Sequence, residues 1–539
     1  MPTVRDAVLD ALRLHGMNTL FGNPGSTEIP FLADLPSDFS YILGLNEVVA
    51  ASMADGHARA TGRPTLVSLH STVGLGNAMG ALVNAQHAHS PVVALVGQQT
   101  RALVHSRAVL TNEHPHVLPL GTVKFAAEPV RAARVPAVLS QAIHLARLSP
   151  AGPVCVSVPM DDWHRECDPL DIRYTLPRHV FADSVLNPSA FARLLDRVRA
   201  ARNPALVVGP ALDTEEGYRH TTALAERLGA PVWIDWLPDR CGFPTGHPAF
   251  RGTLGPDAPS TAALFTGHDL VVALGCRVFR YFADAPAPHL PAGTELVSVT
   301  ADPQDAATAV VGDCYLGAPA AAAELLASAL PATARAAPGR RVLPPAYTDA
   351  APRLLTADEV FTTLAEVVPP ESVIVNEAYR QQEHFWARVP VERPGGYHLA
   401  GAGGLGFGMA GAVGVQLAQP RRPVIAILGD GAIQYTVQAL WSAVHHRAPV
   451  TVVVLNNGQY AILHDVETRV GAGPVPGLRL PGLDPIAIAR GYGVTATRVH
   501  TTRELRAALT SAVESPEPHL IDVAFVDDPT PDPPRRTGG

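Results

Sequence analysis

Two short polar segments in the last third of the chain have the residue types of a site for a divalent cation and a phosphate. Residues 429–432 read Gly-Asp-Gly-Ala, and residues 456–459 read Asn-Asn-Gly-Gln. The carboxylate of Asp430, the side-chain amide of Asn457 and the backbone carbonyl of Gln459 are oxygen ligands of the kind that Mg²⁺ prefers. The glycines beside the aspartate let backbone N–H groups approach a phosphate closely. The two segments therefore predict a shared magnesium and phosphate site.

The elements around these segments explain how residues far apart in sequence come together. Each segment directly follows an apolar run, 424–428 or 450–455, and a helical pattern covers 435–446 between them. This order predicts one β-α-β crossover, in which two parallel strands end side by side. Ligands of open α/β sheets bind at that edge. A Gly-Asp-Gly run alone is often only a turn, but the second segment at crossover distance favours a binding site.

The same alternation of strand and helix patterns continues through the whole chain. Short apolar runs bounded by Gly, Pro or Asn occur at residues 65–69, 92–96, 205–208, 270–274, 373–375, 424–428 and 450–455. Fully apolar strands that alternate with helices indicate parallel sheets covered on both faces. The alternation restarts after residues 168–186 and again after residues 330–352. We therefore predict an α/β fold of three doubly wound parallel-sheet domains at 1–170, 187–330 and 352–527, with a disordered tail at 528–539.

Composition excludes several classes of function. The chain of 539 residues is 47% hydrophobic and 17% charged, and its net charge of −8 argues against a nucleic-acid partner. No apolar run approaches the roughly 20 residues that span a bilayer. The five cysteines are widely spaced and lack metal-ligand or redox spacing, as is usual for reduced thiols. We expect a cytoplasmic protein that binds neither nucleic acid nor a membrane.

A possible catalytic carboxylate lies near the start of the chain. Glu47 begins a predicted helix of small residues, and an acid at that position is by itself usually only a partner of the helix dipole. The run 46–58, taken together with the two polar segments near the other end, resembles the motifs of thiamine diphosphate (ThDP)-dependent enzymes. This resemblance implies ThDP and Mg²⁺ as cofactors. It also implies that the three domains are the pyrimidine-binding, central and diphosphate-binding domains of that family.

The resemblance further implies which residues contact the cofactor. Glu47 would share a proton with the aminopyrimidine ring and so promote removal of the thiazolium proton. The backbone at Gly403 would meet the same ring, and Leu405 would hold the cofactor in a bent shape. An ordinary glycine-rich helix start is the alternative for residues 403–408. The diphosphate and its metal would be bound by Gly429, Asp430, Gly431, Ala432, Asn457, Gln459 and Tyr460, with Asp430, Asn457 and Gln459 as the metal ligands.

A closer resemblance, to benzoylformate decarboxylases, covers nearly the whole chain. It rests on residues 21–26, 68–77, 97–101, 161–163 and 278–281. It implies that Ser26 binds the substrate carboxylate and that His70 assists proton transfer. The implied reaction is non-oxidative cleavage of a 2-oxo acid to an aldehyde and CO₂, the activity of a carboxy-lyase. The implied assembly is a homotetramer, a dimer of dimers, with sites between the first domain of one chain and the third domain of its neighbour.

The sequence departs from that family at a second histidine, which should follow Tyr281. Phe282 stands there and cannot transfer protons. His114 and His116 are possible replacements, although exposed loop histidines are the alternative. His384 and His464 are weaker candidates.

The predicted substrate pocket also departs from the family. Its residues are Ser26, Val109, Leu110, Phe282, Tyr379 and Ile462. Tyr379 and Ile462 stand where smaller residues are expected, and a larger wall reshapes a pocket around another substrate. The particular 2-oxo acid therefore stays open.

Two other functions are alternatives. A carboligase or lyase would make or cleave 2-hydroxy ketones with the same cofactor. A non-catalytic binding module is the other, but the presence of Glu47, Asp430 and Asn457 argues against it.

Overall fold

The predicted α/β fold is confirmed. The computed structural model describes residues 2–182, 184–332, 339 and 354–526, and these form three six-stranded sheets in which every strand pair is parallel. Helices lie in most of the connections between consecutive strands, as is usual for parallel pairing. The predicted tail at 528–539 and most of the predicted linker at 330–352 lie outside the described residues. The limits of the three domains stay predictions.

The first sheet has the strand order β2-β1-β3-β4-β6-β5. Its strands are β1 Thr19–Gly22, β2 Ser40–Leu43, β3 Thr65–Leu69, β4 Val92–Gln98, β5 Phe125–Ala127 and β6 Val154–Pro159. The helices of this part are α1 Val4–Leu14, α2 Ile29–Leu32, α3 Glu47–Thr61, α4 Ser71–His87, α5 Arg101–Val104 and α6 Val135–Arg147. Strands β3, β4 and β6 are buried along their whole length, which explains their apolar sequences.

The central sheet has the order β12-β11-β10-β7-β8-β9. Its strands are β7 Pro204–Val208, β8 Val232–Ile234, β9 Phe250–Thr253, β10 Leu270–Leu274, β11 Glu295–Thr300 and β12 Asp313–Leu316. Its helices are α7 Pro188–Ala200, α8 Glu215–Leu228, α9 Ala258–Leu264, α10 Pro303–Thr308 and α11 Pro319–Ala329. The direction of strand order reverses between β7 and β10, which opens a crevice at the carboxyl ends of the strands.

The third sheet has the order β14-β13-β15-β16-β18-β17. Its strands are β13 Val373–Glu377, β14 Tyr397–His398, β15 Val424–Gly429, β16 Val450–Asn456, β17 Thr495–Val499 and β18 His519–Ala524. Its helices are α12 Ala357–Val367, α13 Gln382–Arg388, α14 Phe407–Ala418, α15 Ala439–His445, α16 Ala461–Val470, α17 Pro485–Gly491 and α18 Thr502–Val513. Strands β15 and β16 are adjacent, as the crossover predicts.

One predicted element needs correction. The helix predicted over 435–446 begins later, because residues Ala432–Thr436 form a 3₁₀ helix and α15 starts at Ala439. The hydroxyl of Thr436 donates a 2.9 Å hydrogen bond to the carbonyl of Gly406. The 3₁₀ helix therefore packs against a neighbouring segment. The hydrophobic periodicity of the sequence does not distinguish this tighter turn from an α-helix.

Glycines let the first and third domains of one chain pack closely. A Cβ added to Gly56 on α3 would lie 2.2 Å from the carbonyl oxygen of Gly411 on α14, and one added to Gly414 would lie 1.9 Å from the carbonyl oxygen of Met53. Side chains larger than hydrogen would separate these helices.

Among the residues described, no helix is long and apolar enough to cross a membrane.

Candidate active site

Glu47 is held at the carboxyl edge of the first sheet. It is the first residue of α3, where Asn46 caps the helix by accepting a hydrogen bond from the Val48 N–H. Its side chain is buried, and Nδ2 of Asn77 on α4 donates a 3.0 Å hydrogen bond to its Oε2. This bond fixes the direction of the carboxylate.

His70 lies just after β3 and is oriented by two polar neighbours. Its Nδ1 is 2.9 Å from Oε2 of Glu28 and 3.0 Å from Oγ1 of Thr27. Glu28 is buried and also accepts a 2.8 Å hydrogen bond from the Gly25 N–H. A carboxylate at Nδ1 leaves Nε2 of His70 available for proton transfer, as in other oriented histidines. Ser26 lies in the loop after β1, beside Gly25 and near Glu28, and is exposed.

Glycine again allows the functional side chains to approach each other. A Cβ on Gly25 would lie 2.1 Å from Nδ1 of His70, so the imidazole occupies the space that a side chain would need. A Cβ on Gly74 would lie 3.1 Å from Cγ of Glu47 and 3.2 Å from Cβ of His70. Glu47 and His70 therefore lie on either side of Gly74, at the start of α4. The structure brings these two predicted catalytic residues together.

The segment after β4 carries other predicted residues to the same sheet edge. Gln99 donates a 3.1 Å hydrogen bond to the carbonyl of Val109, which is exposed together with Leu110. His114 and His116 follow in this segment, and both are exposed.

The two weaker histidine candidates are bound to acids elsewhere. Nδ1 of His384 is 2.8 Å from Oδ1 of Asp358, and Nδ1 of His464 is 2.9 Å from Oε2 of Glu467. Neither histidine lines the cavity at the carboxyl edge of the third sheet.

A cavity of about 100 Å³ lies at the carboxyl edge of the third sheet. Many of the predicted cofactor and pocket residues line it, namely Tyr379, Leu405, Gly429, Asp430, Gly431, Ala432, Asn457, Gln459, Tyr460 and Ile462. Gly403 has a φ of +76° and lies two residues before Leu405, in the turn that leads into α14. Asp430 and Asn457 thus line one cavity, as the β15–β16 crossover predicts.

Asp430, the first predicted metal ligand, is buried beside two backbone N–H groups. Its side chain is 2% exposed, and it accepts hydrogen bonds from the Gly431 N–H at 3.0 Å and from the Gly458 N–H at 2.8 Å. Burial raises the pKa of its carboxyl group to about 6. Asn457 and Gln459 line the same cavity, and the amide oxygen of Asn457 accepts a 3.1 Å hydrogen bond from the Gln459 N–H. This group of oxygen donors, one buried and two half-buried, fits Mg²⁺.

Glu377 also lines this cavity, and the sequence analysis missed it. Its Oε1 accepts hydrogen bonds from the Gly406 N–H at 3.0 Å and the Phe407 N–H at 3.1 Å, at the start of α14. It is 2% exposed, and burial raises its pKa to about 8. The sequence signal that could have found Glu377 is an acid just after an apolar run. The same pattern predicted Asp430.

Phe282 lies outside the cavity of the single chain. Its side chain is 57% exposed, its ring centroid is 5.8 Å from that of Trp236, and the guanidinium of Arg469 lies 5.7 Å from its centre. The neighbouring Tyr281 hydroxyl is 3.2 Å from Nδ1 of His289, a histidine that the sequence analysis did not consider.

The predicted site residues of one chain form two groups. The described residues that line the cavity all come from positions 377–525, whereas Ser26, Glu47 and His70 lie on the first sheet. One group offers a carboxylate and an imidazole for proton transfer. The other offers oxygen ligands and backbone N–H groups for a metal and a phosphate.

Family models of thiamine pyrophosphate enzymes match three parts of the chain. The N-terminal thiamine pyrophosphate-binding domain matches residues 2–118, the central domain matches 191–326 and the C-terminal thiamine pyrophosphate-binding domain matches 381–523. These parts contain the whole central sheet and most strands of the other two sheets, with β5, β6 and β13 outside the matched ranges.

Individual proteins match over almost their whole length. The chain is 44% identical to a benzoylformate decarboxylase of Pseudomonas aeruginosa, over 97% of this chain and 99% of that protein. A ThDP-dependent 4-hydroxybenzoylformate decarboxylase of Rhodococcus jostii RHA1 is 40% identical with a TM-score of 0.95, over 98% of this chain and 99% of the other. A benzoylformate decarboxylase of Polynucleobacter necessarius is 32% identical with a TM-score of 0.92, over the same shares.

Proposed function

Because this chain belongs to the thiamine pyrophosphate enzymes and is a ThDP-dependent 2-oxo acid decarboxylase, we propose that its substrate is an aryl 2-oxo acid of the benzoylformate type. The products are the aryl aldehyde and CO₂. The observation that carries the choice of substrate is the full-length similarity to decarboxylases of benzoylformate and of its 4-hydroxy derivative.

The residues of the third domain hold the cofactor. Asp430 and the Asn457 side chain, with the carbonyl of Gln459, would hold Mg²⁺ next to the diphosphate of the cofactor. Backbone N–H groups after β15 would bind the diphosphate, and Leu405, which lines the cavity, would support the cofactor. When bound, ThDP supplies the nucleophilic carbon and accepts the electrons that the departing CO₂ leaves behind.

The residues of the first domain manage substrate and protons. Ser26 binds the substrate carboxylate, and Glu47 holds a proton at the pyrimidine ring of the cofactor. Loss of CO₂ from a 2-oxo acid anion requires one proton at the former carbonyl carbon before the aldehyde leaves. His70 is positioned to supply it, because Glu28 at 2.9 Å from Nδ1 fixes the ring and leaves Nε2 to face the substrate.

A second copy of the chain completes the site in this proposal. The cavity of one chain is lined from the third domain, among the residues described, while Glu47 and His70 lie on the first sheet. A homodimer would supply the missing half to each cavity, and two dimers would form the tetramer. The proposed location of this assembly is the cytoplasm.

Mixed dimers test the shared site. Glu47→Gln inactivates the half of the shared site that the first domain supplies, and Asp430→Asn inactivates the half that the third domain supplies. Each variant alone should therefore lose activity. Unfolding and refolding the two variants together should restore up to about a quarter of wild-type activity, because half of the dimers are mixed and each has one intact site. No recovery, with dimers shown to exchange, contradicts a site shared between chains.

The substrate is tested with purified protein, ThDP and Mg²⁺. Benzoylformate, 4-hydroxybenzoylformate, pyruvate and a branched 2-oxo acid are compared while CO₂ and aldehyde are measured together. We expect equal amounts of CO₂ and aldehyde and the highest kcat/KM for an aryl acid. Turnover of the aliphatic acids alone would overturn the proposed substrate.

Carboligation is the second candidate, favoured by one observation. Phe282 replaces an expected histidine and offers no proton, so a second carbonyl compound has more opportunity to react before protonation. CO₂ release without free aldehyde, together with a 2-hydroxy ketone when an acceptor aldehyde is added, would identify this activity.

A further inference from the structure

A second cavity, of about 130 Å³, lies between the first and central domains. Residues at the carboxyl ends of β7, β8, β10 and β11 form one side, at the crevice where the order of the central sheet reverses. Residues that follow α4, together with residues 149–151, form the other side. Crevices of this kind are the usual ligand sites of open α/β sheets, and the proposed catalytic residues are elsewhere.

His89 presents a free imidazole nitrogen to this cavity. Its Nδ1 lies 3.3 Å from the backbone carbonyl of Ala151, which accepts hydrogen bonds and donates none, so the proton is on Nδ1. Its Nε2 is the nitrogen left to bind a metal ion, and it lies 3.8 Å from Oδ2 of Asp302. A neutral imidazole whose other nitrogen binds a carbonyl is the usual state of a metal-ligating histidine.

Two carboxylates complete a possible set of metal ligands. Oδ1 of Asp302 caps α10 by accepting a 2.7 Å hydrogen bond from the Gln304 N–H, which leaves Oδ2 on the side of His89. Asp305 lies one turn later, and its Oδ1 accepts a 2.8 Å hydrogen bond from Nε of Arg277. One ligand atom from each of His89, Asp302 and Asp305 lies within 4.8 Å of the others. That spacing allows all three to reach one ion.

Two further acids in the cavity have few neighbouring groups that offset their negative charge. Asp235 is 4% exposed, and within the described part of the chain the only hydrogen bond to its carboxylate comes from the Trp236 N–H at 2.8 Å. Burial raises the pKa of Asp235 to about 6. Asp239 is 6% exposed, and its Oδ2 has only Nε of Arg240 at 3.4 Å. Buried carboxylates in this state favour a nearby cation.

The arginines that line the cavity do not cancel its negative charge. Arg280 donates to the carbonyls of Gly401 and Leu237, and Arg240 donates to the carbonyl of Ala88. With Arg277 they supply three positive charges against the four lining aspartates. One negative charge remains in excess, so an added cation lowers the electrostatic cost of the cavity.

We propose that His89, Asp302 and Asp305 bind a divalent transition-metal ion that joins the first domain to the central domain. One imidazole nitrogen with two carboxylates suits Zn²⁺ better than Mg²⁺, which prefers oxygen ligands only. The ion would fix the residues that follow α4. The opposite end of α4 lies beside His70 and Glu47, so the proposed site and the proposed active site share one helix.

Zinc binding to the holoenzyme tests this site. Wild-type protein is freed of transition metals, saturated with ThDP and millimolar Mg²⁺ to fill the cofactor site, and dialysed against micromolar Zn²⁺. We expect about one Zn²⁺ per chain, with Kd weakened at least roughly tenfold in His89→Asn and in Asp305→Asn. X-ray absorption at the zinc edge should show a single imidazole ligand in the wild type.

A matched variant controls for nonspecific binding. His247 lies 3.5 Å from Glu226, as another histidine near an acid in the central domain, and His247→Asn should bind Zn²⁺ like the wild type. Far-ultraviolet circular dichroism and decarboxylase activity confirm that each variant is folded. Asp305→Asn serves if His89→Asn does not fold. Zinc content that is unchanged in these folded variants, or absent from the wild type, overturns the proposal.

Discussion

Nδ2 of Asn77 donates a 3.0 Å hydrogen bond to Oε2 of Glu47 and thereby connects the second turn of α4 to the start of α3. A charge-assisted bond of this kind restricts where a carboxylate points. Glu47 is the proposed partner of the cofactor ring, so its direction matters for catalysis. Asn77 is therefore a positioning residue for Glu47.

Replacing Asn77 tests that role. We expect Asn77→Ala to lower kcat about tenfold, and Asn77→Asp to lower it further because two carboxylates would then repel each other. Steady-state kinetics with ThDP and Mg²⁺ measure the effect. Gly76→Ala is the control, since an added Cβ there meets nothing within 4 Å. Wild-type kcat in Asn77→Ala would show that Glu47 needs no such support.

Glu28 should act through His70. Glu28→Gln removes the negative charge beside Nδ1 but keeps the shape of the side chain. We expect a loss in kcat of about 10- to 100-fold with a smaller change in KM, and a larger loss of roughly 10²–10⁴-fold in His70→Ala. The double variant should be no slower than His70→Ala. Additive losses in the double variant would contradict a role of Glu28 through His70.

The end of each strand was the most informative feature of the sequence. The strands β3, β10, β15 and β16 were predicted within one residue, because fully buried strands consist of uninterrupted apolar residues. Polar residues that follow such strands reach the binding edge by topology alone. That rule found Asp430 and Asn457, and it applies equally to Glu377.

The contacts between elements were not predictable in this way. Glu28 meets His70 across two loops, and Asn77 meets Glu47 across two helices. Neither contact produces a recognisable hydrophobic periodicity or residue spacing in the sequence. The pairing of His89 with Asp302 joins two domains, and it depends on how those domains pack. Sequence patterns report local structure and sheet topology, whereas side-chain contacts of this kind require coordinates.

Glu377 should make stability depend on pH. Burial raises its pKa to about 8 from an ordinary value of 4.5, so the folded chain keeps this proton to higher pH than the unfolded chain. The free energy of unfolding therefore falls as pH rises from about 4.5 to about 8. Glu377→Gln removes this dependence. We expect the apparent Tm of the variant, relative to the wild type, to rise by roughly 5 °C or more between pH 5 and pH 9.

The comparison needs a control because Asp213 and Asp235 also have pKa values raised by burial, to about 7 and about 6. They lower the stability of wild type and variant equally, so only the difference between the two proteins reports on Glu377. Glu226→Gln, at a side chain that is 66% exposed, should leave the pH profile unchanged. A Tm difference between Glu377→Gln and wild type that is constant from pH 5 to pH 9 would exclude the proposed protonation.

Ile462 should set the size of substrate that the active site accepts. It lines the cavity of the third domain beside Tyr460, at the start of α16. Ile462→Ala removes three carbon atoms from the wall and gives an aromatic ring more room. We expect the ratio of kcat/KM for benzoylformate to that for pyruvate to rise about tenfold, the usual effect of reshaping an apolar pocket.

Leu463→Ala provides the matched control for this prediction. Leu463 is the next residue of α16 and has a similar exposure, 44% against 40% for Ile462, but it does not line the cavity. Its replacement removes a comparable apolar side chain from the same helix, so it reports any general loosening of α16. The substrate ratio should stay at the wild-type value in Leu463→Ala. Equal changes in both variants would mean that the helix as a whole, rather than the wall at Ile462, determines which 2-oxo acid is accepted.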